Sequence, residues 1–169
     1  MSEMTLDTQL LARLDELESK AEIEQVMVAY MAAADRTTDK GVHIAALFTD
    51  NGAWESVGPH GNPGWAAIGR PALVKKFDRN VDRMPFAAHF LTNGSITIDP
   101  ADPNRASGTW MYFQACTYRS DQPLWIAGSY ANDFERVDGV WLLSYLRVNN
   151  FFTTPFDKGW VEVPHMETP

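Results

Sequence analysis

The second half of the chain contains four strand-like segments in direct succession, and this succession limits the possible fold most. The segments begin at Phe86, and the turn-forming sequences DPADPN, SDQP and VDG separate them. Turns this short join neighbouring antiparallel strands, because a parallel connection needs a crossover of a dozen or more residues. The sequence therefore predicts a meander that folds into one antiparallel sheet.

The first half of the chain has the periodicity of helices. Leu10, Leu14, Leu17 and Ala21 recur at helical spacing, with charged residues between them. The sequence SKAE, which starts at Ser19, matches a capping box, and it predicts that one helix ends near Ser19 and a longer helix begins there. The longer helix has an apolar stripe formed by Ile23, Val26, Met27, Tyr30 and Ala34.

Shorter elements connect these two halves. A short helix is predicted from about Lys40 to Phe48. The segment AWESV is predicted to be a strand, and GPHGNPG a surface loop. A further helix is predicted to begin at Pro71, because proline suits the first turn of a helix. The tail WVEVPHMETP is predicted to pack loosely. Helices followed by a strand meander indicate an α+β fold in a single domain over residues 1–169, with its core at about 8–155 and a tail at 156–169.

The composition of the chain argues against several classes of protein. With 45% hydrophobic and 21% charged residues, the chain can bury a sizeable core and does not match disordered segments. The net charge is −8 without a Lys/Arg cluster, so no nucleic-acid partner is expected. No apolar segment approaches the roughly 20 residues that span a bilayer, and no signal peptide is recognisable. Cys116 is the single cysteine, which fits a cytoplasmic protein in a reducing compartment.

Neither a metal nor a cofactor is expected from the sequence. The histidines His43, His60, His89 and His165 are scattered, without the spacing of a metal motif. The glycine-rich loop GPHGNPG matches neither a phosphate-binding loop nor a dinucleotide fingerprint, and no G-x-S-x-G elbow is present. The chemistry that remains available is that of side chains alone.

His89 is the main candidate for catalysis, because it lies in the middle of the otherwise apolar strand segment PFAAHFL. An imidazole there is either a core side chain with one backbone hydrogen bond or a general base. A base of this kind needs a carboxylate that fixes its tautomer, and Asp35 is the best candidate. Asp35 follows small apolar residues at the end of a helix, where the helix dipole disfavours a negative charge.

Further residues are candidates for the wall of a pocket. Tyr30 lies on the apolar helix stripe and carries a hydroxyl group. Arg147 shares a period-2 strand face with Trp141 and Leu143, which predicts that it points inward, although the opposite face fits the pattern equally well. The remaining pocket candidates are Trp54, Trp110, Tyr112, Asn149 and Phe151.

The sequence resembles a known group of proteins through the pattern IEQVMVAYMAAADRTTDKG, ALFTDNGAWE, HFLTNGSITID and NDFERVDGVWLLSYLRV. It is similar to the SnoaL-like family of the nuclear-transport-factor-2-like superfamily, and most of all to its scytalone dehydratase, hexachlorocyclohexane dehydrochlorinase and bile-acid 7α-dehydratase branch. The resemblance implies a cone-shaped α+β barrel, in which a strongly curved, mostly antiparallel sheet is closed by N-terminal helices around a deep pocket.

The resemblance also implies which residues act. A histidine–aspartate pair that works without metal or cofactor matches His89 and Asp35, and two further catalytic positions match Tyr30 and Arg147. The dehydrochlorinase has a lysine at the position of Tyr30. A pocket tyrosine of the bile-acid enzyme corresponds to Ser56 or one of its neighbours here.

We therefore expect a cofactor-independent lyase that dehydrates, or otherwise eliminates a group from, a hydrophobic and cyclic small molecule. An isomerase or cyclase and a non-catalytic subunit like the β subunit of ring-hydroxylating dioxygenases are the alternatives. A homo-oligomer is also expected, with a trimer favoured by the resemblance. Its interface would be an outer sheet face that carries Met111, Phe113 and Trp125.

Overall fold

The computed structural model describes residues 6–61, 66–119 and 121–166. Part of the predicted loop GPHGNPG, the first residue of the predicted turn SDQP and the last three residues of the tail lie outside the described residues.

The described chain forms helices packed against one six-stranded sheet. The elements, in chain order, are α1 (Leu6–Ala34), α2 (Lys40–Ala45), β1 (Phe48–Val57), β2 (Ala66–Ile68), α3 (Arg70–Arg83), β3 (Phe86–Asp99), β4 (Asp102–Tyr118), β5 (Gln122–Val137), β6 (Val140–Pro155) and α4 (Gly159–Glu162). The strand order is β2-β1-β6-β5-β4-β3. All neighbouring pairs are antiparallel except β1 and β6, which are parallel. The predicted α+β class and mostly antiparallel sheet are confirmed. The sheet itself is open, and helices α1, α2 and α3 cover its inner face around a cavity.

The predicted turns join the strands of the meander. Between β5 and β6 the chain reverses at Asp138 and Gly139, whose φ angles are 51° and 82°. Two successive positive φ angles define the type I′ turn, whose twist matches that of antiparallel strands. The predicted hairpins are confirmed where the structure describes them.

Helix α1 is continuous, so the predicted break at Ser19 is wrong. No Gly or Pro interrupts the sequence from Leu6 to Ala34, and Ser19 lies in the interior of the helix. Its side chain is buried, and its hydroxyl oxygen has no hydrogen-bond partner. Arg136 on β5 holds the N-terminal half of α1 through two hydrogen bonds to the Asp15 carboxylate, at 2.8 and 3.2 Å. Tertiary contacts of this kind stabilise one continuous helix, although the local sequence at Ser19 favours the start of a second helix.

Two bulges in β6 change which side chains face the core. Asp133 pairs with Tyr145 while Phe134 pairs with Leu143, so Ser144 is an extra residue. Gly128 pairs with Asn150 while Ala127 pairs with Phe152, so Phe151 is a second extra residue. Each extra residue reverses the alternation of the strand. The inward residues are therefore Trp141 and Leu143 before the first bulge, and Leu146, Val148 and Asn150 between the two.

Strands β4 and β5 alternate without such interruption. The even-numbered residues of β4 from Ala106 to Tyr118 are buried. Residues of β5 that pair with them, such as Tyr130 and Phe134, are buried as well. Trp110 packs among them against Gly94 and Gly108, where an added Cβ would come within 2.6 and 2.5 Å of the indole. This aromatic end of the core lies apart from the pocket described below.

The C-terminal tail is more ordered than predicted. After the short α4, His165 pairs with Thr153 of β6 in a parallel bridge, and the Met166 N–H donates to the Thr153 carbonyl oxygen at 2.6 Å. The side chain of Met166 packs against the hydrophobic core. Residues up to Met166 therefore form part of the packed structure.

Replacing Ser19 tests the continuity of α1. Because Ser19 is a helix-interior residue with an unpartnered hydroxyl, Ser19→Ala should raise the free energy of unfolding by about 0.5 kcal/mol. Urea unfolding measures the change, with Glu18→Ala at the exposed neighbouring position as the control. Loss of a helix cap would instead cost about 1 kcal/mol and would contradict a continuous helix.

Candidate active site

A cavity of about 180 Å³ lies between the inner face of the sheet and the helices. All helices but α4 and all long strands contribute to its wall. Its polar lining comes from Tyr30, Lys40, Ser56, Lys76, Asn80, His89, Tyr112, Gln114, Tyr130 and Asn150. Its apolar lining comes from Ala34, Trp54, Phe77, Met84, Ala87, Ile126 and Val148.

His89 and Asp35 are in direct contact, as expected from the sequence. The distance between His89 Nδ1 and Asp35 Oδ1 is 2.6 Å, and the backbone N–H of His89 donates to Asp35 Oδ2 at 3.2 Å. The His89 side chain is only 11% exposed. An ionised carboxylate can only accept, so the neutral ring carries its proton on Nδ1 and leaves Nε2 as an acceptor. Within the described part of the chain, Nε2 has no hydrogen-bond partner, and His89 lines the cavity.

The two residues meet because of the elements that carry them. His89 lies on β3 and pairs with the inward-facing Gln114 of β4. It shares the inner face of β3 with the buried Ala87. Asp35 follows the last residue of α1, and its N–H still donates to the Met31 carbonyl oxygen at 3.0 Å. The end of the helix therefore directs the carboxylate at the strand rather than at solvent.

Tyr30 lies in the wall of the cavity as a neutral hydroxyl group. Its oxygen accepts a hydrogen bond from Trp54 Nε1 at 3.1 Å, so its own proton is available for another acceptor. Burial raises the pKa of Tyr30 well above its ordinary value, and the bond from Trp54 offsets only part of this. Tyr30 is therefore a hydrogen-bond donor at neutral pH and does not act as a base.

Two more tyrosines line the cavity, and the ring of one of them, Tyr130, packs against that of Tyr30. The Tyr112 hydroxyl donates to Asn150 Oδ1, and its ring packs 4.7 Å from that of Tyr130, centroid to centroid. Burial raises the pKa of both hydroxyls, and the neighbouring tyrosines raise them further. The three tyrosines are thus neutral hydroxyl groups, and His89 is the one imidazole among the described residues that line the cavity.

Arg147 does not enter the cavity, and its expected role in the pocket is wrong. The bulge at Ser144 turns Arg147 to the outer face, where Nη1 donates to Asp133 Oδ2 at 2.8 Å. The guanidinium also packs 3.9 Å from the ring centroid of Tyr145.

Three other pocket candidates also lie elsewhere. Asn149 faces outward for the same reason as Arg147, Phe151 is the extra residue of the second bulge, and Trp110 lies in the aromatic core. Trp54, Ser56 and Tyr112 do line the cavity.

The sequence contained a signal for two lining residues that the sequence analysis missed. Lys76 and Asn80 share one face of α3 with the buried Leu73 and Phe77, at the spacing i, i+3, i+4 and i+7. A lysine and an asparagine on the buried face of an amphipathic helix indicate a polar cavity. Asn150 had no such signal, because only the bulges turn it inward.

The described residues provide no evident metal site and no membrane-spanning helix. Within residues 6–61, 66–119 and 121–166, no group of three or more His, Cys, Asp or Glu side chains could hold a metal ion. No helix in the same ranges combines the length and apolarity needed to cross a bilayer. Cys116 is buried, and burial raises the pKa of its thiol to about 11, which suits a packed side chain.

The tautomer of His89 tests the geometry of the pair without a substrate. In the wild type, ¹⁵N NMR of the ring should show the proton on Nδ1, because Asp35 accepts it. Asp35→Asn should release this constraint and populate the Nε2–H form, since an amide can present either its oxygen or its N–H. Asp39→Asn, at an exposed position four residues on, is the control and should leave the spectrum unchanged. The same ring spectrum in wild type and Asp35→Asn would contradict the contact.

Known proteins share both the sequence pattern and the architecture of this chain. It is 26% identical over 144 residues to hexachlorocyclohexane dehydrochlorinase 1 of Sphingobium indicum, which covers 83% of this chain and 87% of that protein. A type 2 hexachlorocyclohexane dehydrochlorinase superposes with a TM-score of 0.74 at 21% identity, covering 93% of this chain and 98% of the other. A scytalone dehydratase-like protein from Novosphingobium aromaticivorans superposes with a TM-score of 0.72 at 19% identity, covering 92% and 97%. A model of the SnoaL-like domain matches residues 15–147, and the chain therefore belongs to the SnoaL-like domain family.

Proposed function

We propose that this protein is a cofactor-independent lyase that eliminates a small leaving group from a hydrophobic, cyclic substrate. The observation that carries the proposal is the 2.6 Å contact between Asp35 Oδ1 and His89 Nδ1, with the ring of His89 in the cavity wall. Membership of the SnoaL-like family and the similarity to a dehydrochlorinase support elimination as the type of reaction.

In the proposed reaction, His89 is the base. Its Nε2 removes a proton from the carbon next to the one that bears the leaving group. The electron pair of the broken C–H bond forms the new double bond, and the leaving group departs with the pair of its own bond. Chloride leaves as the anion, whereas a hydroxyl group takes up the proton that His89 removed and leaves as water. Asp35 stabilises the imidazolium that results, while it keeps the ring oriented.

Tyr30 is proposed to assist the leaving group. Its hydroxyl proton is not used by the Trp54 bond, because Tyr30 is the acceptor there. A donor held by a buried partner needs little reorganisation as negative charge develops on the departing atom. With Arg147 on the outer face, this part of the chemistry falls to residues of the cavity itself.

The size and lining of the cavity support a substrate with a single ring. A cavity of about 150 Å³ accommodates benzene, and the cavity here is about 180 Å³. Phe77, Ile126 and Val148 supply apolar surface for the ring.

The single cysteine and the acidic composition fit a cytoplasmic enzyme.

A homo-oligomer, most simply a trimer, is proposed as the working form. The outer face of β3, β4 and β5 exposes Phe90 by 57%, Met111 by 37% and Phe113 by 36%, and the ring of Phe113 packs 5.1 Å from that of Trp125. Contiguous apolar surface of this kind marks an interface more often than a free surface.

The catalytic pair can be tested with hexachlorocyclohexane, because the curated relative is named for its dehydrochlorination. The wild type should release chloride, and His89→Gln should lower the rate by roughly 10²–10⁴-fold. Asp35→Asn should also lower it, and the double variant should be hardly slower than the worse single one, since both residues act through one imidazole. Ion chromatography of chloride follows the reaction, and circular dichroism checks the fold of each variant.

Arg147→Ala is the matched control, and it should keep its turnover because Arg147 lies on the outer face. Should hexachlorocyclohexane be inert, scytalone and other cyclic alcohols extend the assay, with loss of water followed by mass spectrometry. Products of unchanged mass would favour an isomerase or cyclase. Full activity in His89→Gln, or an obligate partner chain that copurifies with an inactive protein, would reject the lyase.

The outer face can be tested by light scattering. The wild type should scatter as a trimer, and Phe113→Glu should dissociate it, because a buried charge without a partner is costly. Val161→Glu, at an apolar position on α4 that is 91% exposed, should leave the assembly intact. A wild type that remains monomeric at high concentration would contradict the proposal.

A further inference from the structure

The N-terminal part of α1 lies outside the hydrophobic core, and the proposed elimination does not use it. From Leu6 to Glu18, which we call the helical arm, every residue is exposed except Asp15, and Asp15 is half-buried. Asp15 is the residue that Arg136 holds. Helices in proteins owe most of their stability to the packing of an apolar face, and a helix shorter than about 12–15 residues is marginal in water without it. The helical arm therefore gains stability from any surface that covers it.

The helical arm is rich in exposed leucine. It carries five leucines, whose exposed fractions run from 50% for Leu14 to 71% for Leu6. A single exposed leucine is ordinary, but a contiguous row of large apolar side chains marks an interaction surface. The row belongs to the long helix that covers the inner face of the sheet, so it faces away from that sheet.

The exposed leucines follow the repeat of a helix pair. The exposed apolar face repeats at spacings of four, three and four residues and consists of Leu10, Leu14, Leu17 and Ala21. We call these residues the leucine stripe. The spacing is that of the a and d positions of a heptad, through which two helices pack side by side. Further along α1, Ile23 and Met27 are buried on another side of the helix. The helix therefore has two apolar faces, and only one of them is covered within the monomer.

Opposite charges flank the leucine stripe. In the heptad, Arg13 occupies a g position and Glu18 the e position five residues later. In a parallel pair, a g residue lies beside the following e residue of the other helix, which brings Arg13 next to Glu18 of the partner subunit. In an antiparallel pair, each flank would face itself, and Arg13 would meet the positive charge of the same flank. Among the described residues, neither Arg13 nor Glu18 has an ion-pair partner.

We propose that the leucine stripe is a docking surface for a second copy of this chain, with the two helical arms parallel and Arg13 against Glu18 of the partner subunit. A lipid surface fits less well, because α1 carries four acids and two bases up to Lys20, whereas helices that lie on membranes carry Lys and Arg on their polar face. The contact is separate from the outer sheet face, so it would join two of the trimers proposed above. The stripe spans only about two heptads, so we expect pairing at high protein concentration. The inference does not rest on the proposed function.

Disulfide trapping tests the pairing. Leu14→Cys puts one accessible thiol at the centre of the leucine stripe, since the native Cys116 is buried. The same position of the two chains meets in a parallel pair, so mild oxidation should give a covalent dimer on a non-reducing gel. Ala12→Cys, exposed on another side of the helical arm, is the matched control and should remain monomeric on the gel. A Leu14→Cys protein that links no faster than this control would overturn the proposal.

Exchange of the flanking charges tests the parallel orientation. These variants are made with Phe113→Glu, which removes the outer sheet contact, and sedimentation equilibrium then measures a monomer–dimer equilibrium. Arg13→Glu should weaken the dimer about tenfold, because two symmetry-related ion pairs become repulsive. Adding Glu18→Arg to Arg13→Glu restores both pairs and should recover the affinity. Arg79→Glu, an exposed position on α3, changes the net charge equally and should have no effect.

Three results would overturn the proposal. The first is a protein with Phe113→Glu that stays monomeric at all concentrations. The second is a charge exchange in which the double variant is as weak as Arg13→Glu alone, since this would exclude the parallel pair. The third is a monomer that binds phosphatidylcholine vesicles and loses this binding in Leu14→Glu, which would assign the leucine stripe to a lipid surface. Circular dichroism checks the fold of every variant.

Discussion

The carboxylate of Asp35 joins the helical layer to the sheet at the point where the candidate chemistry occurs. One oxygen accepts from the ring of His89 and the other from its backbone N–H, so the carboxylate fixes both the side chain and the strand that carries it. Hydrogen bonds to a charged group contribute about 1.5–3 kcal/mol each, which is more than neutral ones. The polar side chains of the cavity surround an imidazole whose orientation these two hydrogen bonds fix.

Burial gives the other polar groups of the cavity their character. It keeps the hydroxyls of Tyr30, Tyr112 and Tyr130 protonated, because an anionic phenolate would be poorly solvated there. The same loss of water works against the ammonium of Lys76. Burial therefore favours the neutral form of the tyrosines and of this lysine alike.

Predictions from the sequence were correct where the strands and turns are regular. An imidazole in an otherwise apolar segment was enough to single out His89 on β3, and the dipeptide Asp138-Gly139 was enough for its hairpin. Period-2 alternation correctly put Met111 and Phe113 on the outer face of β4. The same rule failed on β6, because a bulge adds a residue without any mark in the sequence. The capping signal at Ser19 failed for a different reason: helix-interior packing outweighed a local preference that is worth only about 1 kcal/mol.

The bulge at Ser144 also affects how this chain can be compared with its relatives. An arginine aligned with Arg147 need not occupy the same compartment in another member of the family, because one extra residue upstream exchanges the inner and outer faces of everything that follows. Insertion or deletion of a single residue in β6 could thus replace the whole lining contributed by this strand at once. Point substitutions would need several steps for the same result, so strand length offers this fold a direct route to new specificity.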